Sequence, residues 1–196
     1  MNTKIDIGKV FSDAFDIFKQ NAVLLIVTML IAQLVGSATF SICTGGLTIA
    51  FFAICLRLID GDANKPEIGD IFKGFAFTLP GLVFSIVGGL GAMVCCIGAL
   101  ITMPVCCWAM MRFADNPSLT MGDTLKEMFN LIFKEKMWIL VLLQIIVGIV
   151  SSLGFIICYV GLIVTVPFAC LMLACAYRQV YPKAEVLPPP SEAAQA

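Results

Sequence analysis

Nine cysteines in 196 residues are the first side chains in this sequence that could do chemistry. Thiolates bind soft metals and exchange disulfides, but a metal site needs further ligands at set spacing. Here there is no Cys-x-x-Cys, the pairs Cys95-Cys96 and Cys106-Cys107 are adjacent, and the chain contains no His. A thiol among apolar neighbours keeps its proton and behaves as a small hydrophobe. The expected role is therefore packing, with no metal and no cofactor. A disulfide among Cys43, Cys95, Cys96 and Cys158 is the alternative, if these positions face an oxidising compartment.

Other catalytic groups are no better placed. A hydroxyl nucleophile would lack a His base, there is no Gly-x-Ser-x-Gly or Gly-Lys-Ser/Thr motif, and every carboxylate falls in a charged block away from the long apolar stretches. General acid/base work needs a titratable group held in a pocket, so the sequence reads as a non-enzyme. Gln33 and Gln144 are the strongest polar groups within the apolar stretches, and hydrogen bonding between helices is expected of them rather than substrate binding. Ion-coupled transporters carry ionisable residues inside their spans; here those stretches hold none.

The elements follow from where the charges fall. Hydrophobic residues make up 60% of the chain and charged ones 13%, against about a quarter charged in soluble domains. The mean hydropathy is +1.01. The 12 Lys and Arg and 13 Asp and Glu lie in four blocks, Lys4 to Lys19, Arg57 to Lys73, Arg112 to Lys136 and Arg178 to Glu192. Between them lie uncharged gaps over 20–56, 74–111 and 137–177. One crossing needs about 20 apolar residues, so each gap is long enough for two. Breaks near the middle of each gap, at Thr44-Gly45-Gly46, from Gly88-Gly89 to Gly98 and from Ser151-Ser152 to Gly161, are where the chain can turn. Three hairpins put every charge on one face, and the positive-inside rule makes that face, with both termini, cytoplasmic. Trp108, Trp138 and Tyr177, next to charged blocks, are expected to form an interfacial aromatic belt. A net charge of −1 without a basic stripe excludes nucleic acid as a partner.

The hairpins repeat. Cys-x-x-Gly followed nine residues later by Cys occurs as Cys43/Gly46/Cys55, Cys95/Gly98/Cys107 and Cys158/Gly161/Cys170, which are read as turn and packing positions. Thr102/Pro104 matches Thr165/Pro167, and both prolines are expected to bend or start the second arm of a hairpin. Ahead of each hairpin stand Ile7-Gly8-Lys9-Val10-Phe11, Ile68-Gly69-Asp70-Ile71-Phe72 and Met121-Gly122-Asp123-Thr124-Leu125. In the first, Ile7, Val10, Phe11, Ala14, Ile17 and Phe18 recur at helical spacing opposite Asp6, Lys9, Asp13, Asp16 and Lys19. The third sets Met121, Leu125, Met128, Phe129 and Ile132 against Asp123, Lys126, Glu127 and Asn130, with Thr120 and Asp123 as a capping pair. The middle copy, broken by Gly74, should be a turn or two. Such helices lie in the headgroup region with their Phe side down.

The segment Phe15 to Leu25, the run Arg57-Leu58-Ile59-Asp60-Gly61-Asp62 leading to Gly69-Asp70-Ile71-Phe72-Lys73-Gly74-Phe75, and Pro167 to Tyr177-Arg178 resemble the large uncharacterised bacterial families related to the membrane domain of glycerophosphodiester phosphodiesterases. The resemblance implies a six-helix bundle in a bacterial inner membrane and carries over no activity.

The expected protein is all-α, a polytopic membrane protein with six transmembrane helices as three repeated hairpins, each preceded by an amphipathic interfacial helix. One membrane domain covers 1–181, with repeats at about 5–60, 66–113 and 118–181, and residues 182–196 form a disordered Pro/Ala-rich tail. Its expected function is a membrane scaffold or accessory protein that organises lipid or partner proteins. The alternative is a facilitator of a small apolar or lipid-like solute. Its partners would be membrane lipid and a membrane protein or a second copy of itself.

Overall fold

The computed structural model describes residues 5–62, 65–94, 96–133, 138–156 and 160–182, and over these it is helical, with no strand. The tail over 183–196 lies outside them.

Helix α1 (Ile7–Ala38) begins where the Asp6 carboxylate accepts from the Lys9 N–H at 3.1 Å, satisfying a first-turn donor. It joins the first amphipathic element and the first apolar arm into one helix bent at Asn21, whose φ of −126° and ψ of 20° are not helical. The Asn21 amide donates to the Ile17 carbonyl at 3.0 Å, a side chain entering the backbone ladder, as kinks require. Val10, Ala14 and Phe18 form the buried stripe, while Asp13 and Asp16 are exposed.

The first turn differs from the expected one. It falls at residues 39–43, where Phe40 and Ser41 take left-handed φ of 49° and 65°, at roughly 1–2 kcal/mol each. The Ser41 N–H donates to the Gly36 carbonyl at 2.8 Å and closes the end of α1. Thr44, Gly45 and Gly46 are instead the first turn of α2 (Thr44–Ile59). Their glycines serve close approach: a Cβ on Gly46 would lie 2.5 Å from the Gly74 carbonyl oxygen, and one on Gly45 would overlap the backbone of Gly81.

Residues Ile68–Phe77 form a 3-10 helix, longer than the turn or two expected. Every third residue eclipses in such a helix. Ile68, Ile71, Gly74 and Phe77 thus share a line on which Ile71 and Gly74 are buried, while Phe72 and Phe75 stack at 6.2 Å on an exposed line. This segment packs along α2 rather than lying apart from the bundle.

The remaining helices are α3 (Thr78–Val94), α4 (Cys96–Asp115), α5 (Met121–Phe133), α6 (Ile139–Ile156) and α7 (Val160–Val180). The capping pair of α5 is present, with the Asp123 N–H donating to Thr120 Oγ1 at 3.2 Å and the Thr120 hydroxyl to Asp123 Oδ2 at 2.6 Å. Helix α3 ends at Val94 with α4 starting at Cys96, and α6 ends at Ile156 with α7 starting at Val160, so both boundaries fall within the expected breaks, although Gly88, Gly89, Ser151 and Ser152 are themselves helical. In a membrane-type helix Gly and Ser permit packing as readily as turning. Pro104 and Pro167 are interior to α4 and α7; neither starts its helix.

Helices α2, α4 and α7 contact one another, and each remaining long helix lies against two of them: α1 on α2 and α7, α3 on α2 and α4, α6 on α4 and α7. Phe51, Trp108, Met111 and Tyr177 fill the middle, all fully buried. Among the described residues, three helical stretches are long and apolar enough to cross a membrane, Ile7–Ala38, the continuous Ile68–Leu90 and Gly161–Val180, and Thr44–Ile59 and Ile139–Ser152 are shorter apolar helices.

Candidate functional site

Three arginines stand at corresponding places, Arg57 near the end of α2, Arg112 near the end of α4 and Arg178 near the end of α7. Each is followed three residues later, about one turn on, by Asp60, Asp115 or Tyr181. The fold gathers them into one layer. Arg178 Nη2 lies 2.7 Å from Asp60 Oδ2 and 2.7 Å from Asp115 Oδ1, so one guanidinium ties the ends of three helices. The Tyr177 hydroxyl donates to the second Asp115 oxygen at 3.1 Å.

Around this centre, Arg112 pairs with Glu127 of α5 at 3.3 Å and stacks on the Tyr181 ring at 4.7 Å. The Tyr181 hydroxyl donates to Glu127 at 3.0 Å. Burial first, and the Glu127 charge second, push that phenol up, which keeps it a donor. Arg57 reaches Asp70 at 2.7 Å and Lys73 reaches it at 2.6 Å, securing the 3-10 segment. Gln179 Oε1 accepts from the Asp6 N–H at 2.9 Å and holds the start of α1 against α7. The side chains of Arg178 and Asp60 are only 11% and 8% exposed. Charges so buried are tolerable when paired and hydrogen-bonded, and here each serves to lock helix ends.

Several clefts open on the surface among the described residues. One, about 600 Å³, lies at the charged end between α1 and α7 and is lined by Asp13, Asp16, Cys175 and Arg178. A second, about 390 Å³, lies under α5 against α3 and α4, and a third, about 460 Å³, lies between α1 and α7 beside Gln33.

The residues singled out by sequence fall as follows. Cys43 is a partly exposed free thiol at the first turn. Cys55 is a buried free thiol on α2, and Cys107 on α4 and Cys170 on α7 are partly buried free thiols. Gly46 makes the close contact with Gly74, Gly98 falls within α4 and Gly161 within α7, while Cys95 and Cys158 lie outside the described residues. Gln33 is exposed beside its cleft, and Gln144 Oε1 is buried with no hydrogen-bond partner. Among the described residues neither side chain makes the expected interhelical bond. Trp138 is exposed, as an interfacial ring should be, but Trp108 and Tyr177 are fully buried and 5.8 Å apart. They face the bundle junction rather than lipid, since proximity to an Arg in sequence does not say which side of the helix a ring occupies. The layer's only mark in the sequence is the Arg-x-x-Asp, Arg-x-x-Asp, Arg-x-x-Tyr series, regularly spaced at three helix ends. No group of three or more metal-ligating side chains gathers among the described residues.

The chain matches no protein-family model, no curated protein and no solved structure.

Proposed function

We propose that the chain is a non-enzymatic scaffold of a bacterial inner membrane, with six spans arranged as three hairpins and its charged end and termini in the cytoplasm. The observation that carries this reading is the exposure of phenylalanines on all three amphipathic elements. Phe11 is 49% exposed, Phe72 47% and Phe129 52%, each on an element that also carries Lys, and Lys19 lies 4.6 Å over the Phe15 ring. Aromatic rings beside lysines suit the headgroup boundary. The threefold contact scheme, with α2, α4 and α7 inside and α1, α3 and α6 in the grooves between them, supports the repeat.

A facilitator of an apolar solute is the second reading, supported by the clefts. The large side chains buried where α2, α4 and α7 meet favour the scaffold, because they fill the place a central passage would take. Protein-dependent lipid scrambling or solute flux in proteoliposomes would overturn the scaffold reading.

Topology has a direct test. In intact cells a membrane-impermeant thiol reagent should label a single-cysteine variant retaining Cys43, and leave one retaining buried Cys55 unlabelled. Cys43 protected until the cells are permeabilised would replace six spans by hairpins that dip into one leaflet.

A further inference from the structure

The cleft beneath α5 differs from the others in its lining. Its walls are Val87 of α3, Val105 and Cys106 of α4, and Leu125 and Phe129 of α5, and almost none of its surface is polar. It is an open groove of about 390 Å³. Its size and apolar walls are those of a ligand site. On the α5 margin Lys126 and Asn130 are one turn apart beside the Leu125 and Phe129 stripe, and the α4 wall adds Thr102.

Lys126 is the charged residue of this lining, and among the described residues it has no ion pair. Its acidic neighbours on α5 are engaged elsewhere: Glu127 with Arg112 and Tyr181, Asp123 with the Thr120 hydroxyl. The margin therefore offers a cation beside a channel suited to hydrocarbon. We propose that this cleft binds one acyl chain of an anionic phospholipid, with the lipid phosphate at Lys126 and Asn130 and the chain between α5 and the α3–α4 pair. A zwitterionic lipid would fill the same walls but gain less from the lysine.

This inference rests on the membrane reading, yet its test does not depend on how many helices cross. The full chain, solubilised in neutral detergent, is incubated with phosphatidylglycerol or phosphatidylcholine of identical chains, and retained lipid is counted by native mass spectrometry. Wild type should retain one phosphatidylglycerol, about fivefold more than phosphatidylcholine, the factor expected of one lysine near an anionic headgroup. Lys126→Gln, an exposed substitution, should bring the two lipids level without loss of folding. Val87→Phe, which narrows the cleft, should lower retention of both while the Lys126 preference persists in what remains. Equal retention of both lipids by wild type, no retention, or a preference unchanged in Lys126→Gln each overturns the proposal. Failure of the membrane topology would appear separately, in the labelling of Cys43.

Discussion

Gly81→Ala is expected to destabilise the protein severely although it adds one methyl group. A Cβ at Gly81 would overlap the backbone of Gly45 and Gly46, and a Cβ at Gly45 would overlap Gly81 in return. The obstacle on both sides is main chain within helices, which cannot swing away as a side chain would. Relief requires α2 to move off α3, and the neighbouring contact between Gly46 and Gly74 would open with it. Overpacking of this type costs about 3 kcal/mol at the upper end of its usual range. Gly148→Ala on α6 is the matched control, because a Cβ there meets nothing within 4 Å. It should stabilise by about 0.5–1 kcal/mol through helix propensity. The measurement is thermal unfolding of purified protein in one detergent. A Gly81→Ala protein as stable as wild type would show that α2 and α3 do not approach as described, and equal damage from both substitutions would assign the effect to glycine content instead.

These glycines also show why the sequence was read well in some places and poorly in others. Charge blocks and apolar gaps located the helices, because an interruption of charge over 20–56, 74–111 or 137–177 leaves little but apolar helices to build. The position of the turns was less legible. Glycine and serine mark a bend or a close contact, and only the partner helix distinguishes them; Gly45 and Gly46 were read as the first and perform the second. The middle amphipathic element illustrates a different limit. A single spacing of three, as from Ile68 to Ile71, fits a period of 3.0 and one of 3.6 alike, so this pair could not identify a 3-10 helix. Trp108 and Tyr177 were assigned to the lipid boundary by their neighbours in the chain, whereas their burial depends on which face of α4 and α7 meets the other helices. The polar layer was least visible, since Asp60 and Arg178 stand 118 residues apart. Its trace in the sequence was the recurrence of Arg with a partner three residues on.

That layer gives the second large effect, expected from Arg178→Met. The guanidinium touches Asp60 and Asp115 through the same nitrogen at 2.7 Å each, so its loss brings two carboxylates together without the charge between them. Removing one partner from a buried ion pair costs about 3–5 kcal/mol, and this change affects two pairs at once. Arg178→Lys should fall between, since an ammonium can approach both carboxylates but cannot stack on Tyr177 in a planar fork. The decisive variant is the triple substitution Arg178→Met with Asp60→Asn and Asp115→Asn. If the layer acts by charge balance, neutralising the whole group should restore most of the stability lost in the single variant, because replacing an entire buried ion cluster is often neutral. A triple variant no more stable than Arg178→Met would mean that the geometry of the guanidinium, rather than its charge, holds α2, α4 and α7 together. A single variant as stable as wild type would remove the layer from any part in fastening the helix ends.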